Sequence, residues 1–309
     1  MSLTSSQDSN DTRQAPAPAG DLRQRFVARH LLYLAPGMVL YALFSLWPIG
    51  QTIVFSFQRW DGITEPRWIG LRNYIEIVTD VQTLTVFGNG LIMIFFYAVL
   101  PVLIGLLIVA IMTRIRIRLL AVFRTVLFLP QILATVVVAV AWRWIYDYDG
   151  PINAFLGLIG LGDLSRAWLG DFDTALISVG LIGTWINFGL CMVLFIGGAQ
   201  KIDTQLYEAA RLDGAGPLQE FLAVTLPGLR GEISIALVLT VTNALRNFDI
   251  VWNTTSGGPG TSTLVPSYLI YEGAFITRNV GFAAAASVVL TALILVLTGV
   301  ITRFMREKE

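Results

Sequence analysis

Apolar residues along this chain gather in long blocks separated by short polar stretches. Six blocks, 31–57, 84–112, 121–146, 174–200, 232–252 and 281–303, are each mainly apolar. A helix needs about 20 such residues to cross the hydrocarbon core of a bilayer, so each block predicts one transmembrane helix. Ser, Thr and Gly soften the fourth and fifth blocks, as in helices that pack against neighbours inside a bundle. The pattern predicts an all-α membrane protein of six transmembrane helices. Residues 1–30 form a separate polar tail; the first 20 are polar and rich in Pro and Ala, and are expected to be largely disordered. The first apolar block exceeds the core of a signal peptide and lacks a following cleavage site, so it is read as a retained span. The membrane domain is therefore 31–309.

The polar stretch 201–230 does not have the composition of a slack connector. Asp203 suits the N-cap of a helix running through Glu208, Ala209, Ala210 and Arg211. Gly214-Ala215-Gly216 breaks that helix, and Pro217 suits the first turn of the next, which carries Phe221, Val224 and Thr225. Leu226-Pro227-Gly228 closes the unit before the next apolar block. A helix–Gly turn–helix at a membrane surface suits docking of a soluble partner; an ordinary amphipathic loop helix is the plainer alternative. Arg211 lies three residues after Glu208, where the two also form a solvated helix pair.

Composition agrees with the membrane assignment: 55% of residues are hydrophobic, 14% are charged, and the mean hydropathy is +0.69. The net charge is zero, so its sum gives no reason to expect a nucleic acid partner, but its distribution is uneven. Six spans put both termini and the 113–120 and 201–230 loops on one side. That side holds fourteen of the twenty-one Lys and Arg residues, against five opposite. The positive-inside rule makes it cytoplasmic. The chain has one His (His30) and one Cys (Cys191), too few for a disulfide framework, zinc site or Cys/His dyad. Its two lysines, Lys201 and Lys308, lie in no phosphate-binding loop of the Walker type. No catalytic or metal-ligating set is evident, so ATP hydrolysis would have to come from another polypeptide.

The spacing Glu208-Ala209-Ala210, then Gly214, then Val224-x-Leu226-Pro227 resembles the cytoplasmic loop of permeases of binding-protein-dependent ABC importers, with Val224 where Ile is usual. Trp47-Pro48, Trp68-Ile69-Gly70-Leu71-Arg72-Asn73-Tyr74, Phe128-Leu129-Pro130, Gly150-Pro151-Ile152-Asn153 and Phe248-Asp249 with Thr255-Ser256-Gly257-Gly258-Pro259 extend the resemblance to sugar-type members. The chain looks like the compact six-span core of the larger maltose-importer permease. The resemblance implies a type I importer architecture in a bacterial inner membrane and a non-catalytic subunit without a cofactor of its own. ATP and Mg²⁺ would be bound by a partner ATPase dimer. A second, homologous permease, an extracytoplasmic binding protein and a sugar-type solute complete the implied set. It also implies that Tyr207, Glu208, Ala209, Ala210, Asp213, Gly214, Phe221, Leu226 and Pro227 couple to the ATPase.

Polar side chains within a span are costly unless they face a cavity or each other. The fifth block carries Thr240, Thr242, Asn243, Arg246, Asn247 and Asp249; Thr240, Asn243 and Asn247 fall at i, i+3 and i+7, one face of a helix. The fourth adds Thr184, Trp185, Ile186 and Asn187. Gly183, Ile186, Asn187, Leu190, Thr240, Ala244 and Asn247 stand where the maltose permease, by resemblance, contacts sugar. These residues are read as a solute pathway, with interhelical hydrogen bonding as the alternative. Arg246 and Asp249 either neutralise each other or leave Arg246 open to an anionic solute such as a sugar phosphate or uronate. The same pair keeps an ion-coupled secondary transporter in view. Trp142, Trp144, Tyr146 and Tyr148 are read as an interfacial belt, and 257–260 as a loop tip.

Overall fold

The structure, a computed structural model, describes residues 33–112 and 120–305. The 1–30 tail, most of the 113–120 loop and the last four residues lie outside the described residues. The chain divides into two compact units, Met1–Gln51 and Thr52–Glu309. In the first, the described chain is helical throughout. It belongs to helix α1 (Tyr33–Ser56), whose last residues lie in the second unit.

After the end of α1 the second unit forms a small ribbon. Strands β1 (Gln58–Arg59) and β2 (Arg67–Trp68) form an antiparallel ribbon, a minor departure from the all-α expectation. The buried Asn73 at the start of α2 (Arg72–Thr79) fixes its base by donating to the carbonyls of Ser56 and Gln58, each at 2.9 Å. At the ribbon tip, Asp61 accepts from the amides of Ile63 and Thr64. These bonds to the ionised form hold its carboxyl down at about 2.

Helix α3 (Val81–Met112) starts at Asp80, whose carboxylate accepts from the Thr83 amide at 2.8 Å in an N-cap. Midway it contains a π-turn, Phe95–Val99, that bulges toward α7 (Ala175–Ala199). Glycines on α7 admit that bulge. A Cβ at Gly183 would overlap the Tyr97 ring, and one at Gly180 would meet Phe96. The Thr184 hydroxyl donates to the Phe96 carbonyl at 2.6 Å, satisfying an acceptor that the π-turn frees. Lower down, Gly105 of α3 lies against the backbone of Cys191–Met192. Small residues thus let two backbones approach inside lipid, where packing rather than water exclusion drives association.

Two predicted spans are broken. The third is α4 (Leu120–Ile132) and α5 (Thr135–Ile145), bent 95° at Leu133-Ala134. Pro130 lacks an amide donor, which weakens the last turn of α4. Beyond α5, α6 (Pro151–Leu158) lies in the connection to α7, tied by the buried Asn153, which donates to the Arg166 carbonyl and accepts from the Trp168 indole at 2.8 Å. The fifth span is shorter than its apolar block. It begins in the loop as α8 (Thr204–Leu212) and α9 (Pro217–Gly228), bends 69° at the buried Leu229, and continues as α10 only from Arg230 to Leu245. Residues 246–248 are not helical, and α11 (Asp249–Thr254) is a separate short helix. Residues 257–260 lie in a loop, as expected, which runs on to Leu264. Asn89 of α3 donates to the Ser262 and Leu264 carbonyls across it. Helix α12 (Pro266–Tyr271, continuing as a π-turn to Ile276) then leads to α13 (Val280–Met305).

Among the described residues, α1, α3, α7 and α13 are each long and apolar enough to cross a membrane alone. Counting α4–α5 and α9–α10 as one bent span each raises the total to six.

Candidate functional site

Both helix breaks open onto one polar cavity of about 350 Å³. It is lined by Gln131, Leu133 and Thr135 around the α4–α5 break and by Asn243 to Ile250 at the α10–α11 break, except Ala244 and Leu245. Tyr97 of α3 and Ile186 and Asn187 of α7 complete the wall. Non-helical backbone within a membrane bundle is tolerated where it lines such a cavity, because polar groups there find partners other than lipid. Among the described residues two wall atoms are buried with no hydrogen-bond partner, Gln131 Oε1 and Asn187 Oδ1, while the Tyr97 hydroxyl and the Asn247 amide lie beside each other. The Asn187 amide nitrogen donates to the Gly183 carbonyl at 2.8 Å.

The structure brings together Ile186, Asn187, Asn243, Arg246, Asn247 and Asp249 of the predicted pathway around this cavity, and places the rest elsewhere. Thr240 is fully buried and its hydroxyl donates back to the Ala236 carbonyl at 2.7 Å, within its own helix. Trp185 lines a different, apolar cavity of about 580 Å³, packed edge-on against Trp142 at 5.7 Å. Ala244 is core, and the Tyr97 ring covers Gly183. The i, i+3, i+7 face of Thr240, Asn243 and Asn247 does not exist as such, because α10 ends two residues before Asn247. No ion pair joins Arg246 and Asp249 among the described residues; the helix break lies between them. The predicted aromatic belt also splits: Trp144 and Tyr148 are exposed, while Trp142 and Tyr146 face inward against Trp185. Tyr97, Gln131 and Thr135 escaped the sequence reading because each is a lone polar residue in an apolar run. Pro130 was the one local sign of a break.

The second candidate site is the helix pair α8–α9. Asp203 caps α8, its carboxylate accepting from the Gln205 amide at 2.9 Å. Gly214 has φ +80°; beside it the Ala215 amide reaches the Ala210 carbonyl at 2.9 Å and the Gly214 amide the Arg211 carbonyl at 3.1 Å. That is a Schellman C-cap, which requires a left-handed residue. Pro217 occupies the first position of α9, and the Gln219 side chain accepts from the Gly216 amide at 2.8 Å. Two cross-links tie α8 to α9, and a third bond ties the start of the loop to α10. Arg211 donates through two nitrogens to the two oxygens of the buried Glu220, at 3.1 and 3.3 Å, in place of a pairing with Glu208. Hydrogen bonding to Glu220 and its charge push the Arg211 pKa up. The Tyr207 hydroxyl meets Thr225 Oγ1 at 3.1 Å, and Lys201 joins Glu232 of α10 at 3.0 Å.

The predicted coupling residues therefore divide by direction. Glu208, Ala209, Asp213 and Gly214 are exposed. Tyr207 is turned toward α9, while Phe221 and Leu226 line an apolar groove of about 670 Å³ against Leu103, Leu106 and Leu107 of α3. Ala210 and Pro227 are half-buried. Leu206, Leu212, Leu218 and Leu222 are exposed as well, Leu212 by 89% and Leu218 by 70%, and Leu218 also borders that groove. Sequence reading missed these because a lone Leu in a polar loop signals nothing by itself.

A family model, binding-protein-dependent transport system inner membrane component, matches residues 31–308. The chain belongs to that family. This permease is 35% identical over 278 residues to the probable ABC transporter permease protein YurN of Bacillus subtilis (strain 168), covering 89% of this chain and 95% of the relative. It is 28% identical to the lactose transport system permease protein LacF of Rhizobium radiobacter, over 96% of this chain and 100% of that one. In fold it resembles a chain of a bacterial alginate ABC transporter solved with an alginate pentasaccharide-bound periplasmic protein. The TM-score is 0.73 at 19% identity, covering 93% of this permease and 96% of that chain. The protein is thus a multi-pass membrane permease component of a binding-protein-dependent ABC importer.

Proposed function

We propose that this permease carries a sugar or related solute across a bacterial inner membrane in an importer powered by a separate ATPase, which it engages through α8–α9. The observation that carries the reading is the construction of that helix pair: cross-linked internally by Arg211–Glu220 and Tyr207–Thr225, yet presenting Leu206, Glu208, Ala209, Leu212, Leu218 and Leu222 outward. A rigid pair with an unsatisfied apolar face suits a groove on a soluble partner, and Ala209 permits close approach. Because α9 runs into α10 with only a bend at Leu229, displacement of the pair moves α10, whose far end borders the polar cavity. Closure of an ATPase dimer on ATP would thereby switch access to that cavity as a rigid-body change. Both termini and the helix pair would face the cytoplasm, as the Lys and Arg distribution favours.

Several expectations belong to the same proposal: pairing with a second, homologous permease, delivery of solute by an extracytoplasmic binding protein, and ATP and Mg²⁺ held by the ATPase. The lactose system named for LacF supports a sugar-type solute. Asn187, Asn243, Asn247, Arg246 and Asp249, with Tyr97, Gln131 and Thr135, supply the donors and acceptors that hydroxyl groups need. The test is reconstitution with partner ATPase and permease chains in lipid, comparing ATP hydrolysis for wild type, Glu208→Lys and Ala209→Trp. Loss of ATPase association in both variants is expected. ATPase binding and turnover equal to wild type in both would overturn the coupling role of α8–α9.

A further inference from the structure

Helices α3, α5, α6 and α7 wall the apolar cavity of about 580 Å³ that Trp185 lines. Protein interiors leave few voids larger than a water molecule, so a space of this size needs an occupant. Water does not suit it, because ordered water needs polar partners. Among the described residues no charged side chain lines the cavity. The Thr174 hydroxyl donates to the Trp168 carbonyl at 3.0 Å and the Thr184 hydroxyl to the Phe96 carbonyl at 2.6 Å, while the Trp168 indole N–H is spent on Asn153. The transported solute does not suit it either. An α-helix turns about 100° per residue. That puts Ile177, Leu181, Trp185 and Phe188 of α7 on roughly the opposite face from Ile186 and Asn187, which line the polar cavity.

The outer end of the cavity lies at a membrane boundary. Ile152 of α6, Trp168 and Thr174 border it where α7 begins. The stretch 150–162 around α6 carries no charged residue, and its one polar side chain, Asn153, is buried and bonded, while Phe155 and Leu158 are exposed. A short helix of that kind lies at the boundary of headgroups and acyl chains. Trp144 and Tyr148, exposed around the end of α5, suit the same level. From there the cavity follows α7 from Ile177 to Phe188. At 1.5 Å per residue that is about 16 Å, half of the roughly 30 Å hydrocarbon core. Ile177 and Leu181 border it at 47% and 41% exposure, so one side stays open. Exposed Leu103, beside the lining residue Ile104 of α3, continues that apolar surface.

We propose that this cavity is a binding site for one acyl chain of a phospholipid in the outer leaflet of the surrounding bilayer. The chain lies along α7 from Ile177 to Phe188 against the Trp142 and Trp185 rings, and its headgroup end sits beside α6. A depth of one leaflet, a lining without charge and a side open toward the apolar surface all fit that occupant. A second permease is the competing one, but two permeases that share a solute pathway meet at the polar cavity, on the other face of α7. Helix α5 walls both cavities, through Thr135 at one end and Trp142 at the other, so a seated chain braces the bent span against α7.

The experiment places the full-length permease, alone and assembled with its partner chains, in nanodiscs containing phosphatidylethanolamine with a diazirine midway along one acyl chain. After irradiation, lipid adducts are mapped by mass spectrometry. Labelling of Ile177, Leu181, Phe188 and Trp142 is expected to exceed that of Leu91 of α3 and Val140 of α5, which are exposed outside the cavity, several-fold in both preparations. Leu181→Trp puts an indole into the cavity mouth at a position with room for it. Cavity labelling should then fall several-fold, with labelling of Leu91 and Val140 unchanged as the sign that the bundle is intact. Leu181→Ala, which widens the mouth, should keep the cavity labelled. Cavity labelling no higher than at Leu91 and Val140, or unchanged in Leu181→Trp, would overturn the inference. So would labelling of the isolated permease that disappears on assembly, which would give the cavity to a partner chain.

Discussion

The Gly183–Tyr97 contact gives a prediction whose sign depends on tertiary structure alone. Substituting Ala for Gly within a helix ordinarily stabilises by up to about 1 kcal/mol. On α7 two glycines allow a controlled comparison. At Gly197 a Cβ would meet nothing within 4 Å. At Gly183 it would overlap three ring atoms of Tyr97, which is 4% exposed and cannot swing into open space. To regain an ordinary contact of about 3.5 Å the ring would have to retreat by about 1.5 Å. Overpacking of that kind costs typically 1–3 kcal/mol. Gly197→Ala is therefore expected to be neutral or stabilising by up to about 1 kcal/mol, and Gly183→Ala to be destabilised relative to it by the overpacking cost of about 1–3 kcal/mol, since the propensity gain is common to both. At roughly 2 °C per kcal/mol for a chain of this size, the two thermal midpoints should separate by about 2–6 °C. The assay is thermal unfolding of both variants in nanodiscs, with binding of a solute to the polar cavity as a second readout, because Tyr97 forms part of its wall. Equal shifts in the two variants would refute the reasoning, since they would show that the backbone–ring approach does not constrain α7.

Glu220→Gln removes the charge that holds Arg211. ATPase stimulation should fall while thermal stability of the spans changes little; unchanged stimulation would show that cross-linking of α8 to α9 is unimportant. Gly214→Val forces a β-branched residue to φ +80°, at a cost of about 1–2 kcal/mol, and should weaken ATPase co-purification. Substitution of Gly216, with an ordinary φ, serves as the control in the same pull-down. Asp61 has its carboxyl pKa lowered to about 2 by the Ile63 and Thr64 amides. A depressed folded-state pKa stabilises the ribbon tip above the ordinary value near 3.8, and that stability is lost as pH falls toward 2. A ¹³C carboxyl titration of the labelled protein should place the Asp61 midpoint well below 3.8; a midpoint at or above it would contradict the turn geometry.

Much of this protein is readable as a one-dimensional pattern, because a bilayer imposes a length and a polarity on every segment that crosses it. The apolar blocks at 84–112, 174–200 and 281–303 became α3, α7 and α13 within a few residues. The Asp203 cap, Gly214 turn and Pro217 start of the loop helices also followed from local chemistry, since caps and left-handed turns depend on neighbours within four or five residues. Hydropathy could not show where a span breaks. The blocks 121–146 and 232–252 are mainly apolar, yet α4–α5 and α10–α11 part at Leu133-Ala134 and Arg246–Phe248. Those breaks persist because the residues around them line a cavity shared by four apolar blocks, a condition set by packing between distant segments. Helical periodicity consequently placed Thr240 with Asn247, whereas the fold buries the first and turns the second into the cavity. The exchange of Glu208 for Glu220 as partner of Arg211 has the same origin: a pair nine residues apart forms only once α9 folds back across α8. Sequence determined which segments enter the membrane and where the loop helices start and stop. Tertiary structure alone decided which polar groups face one another, because that depends on contacts no local pattern records.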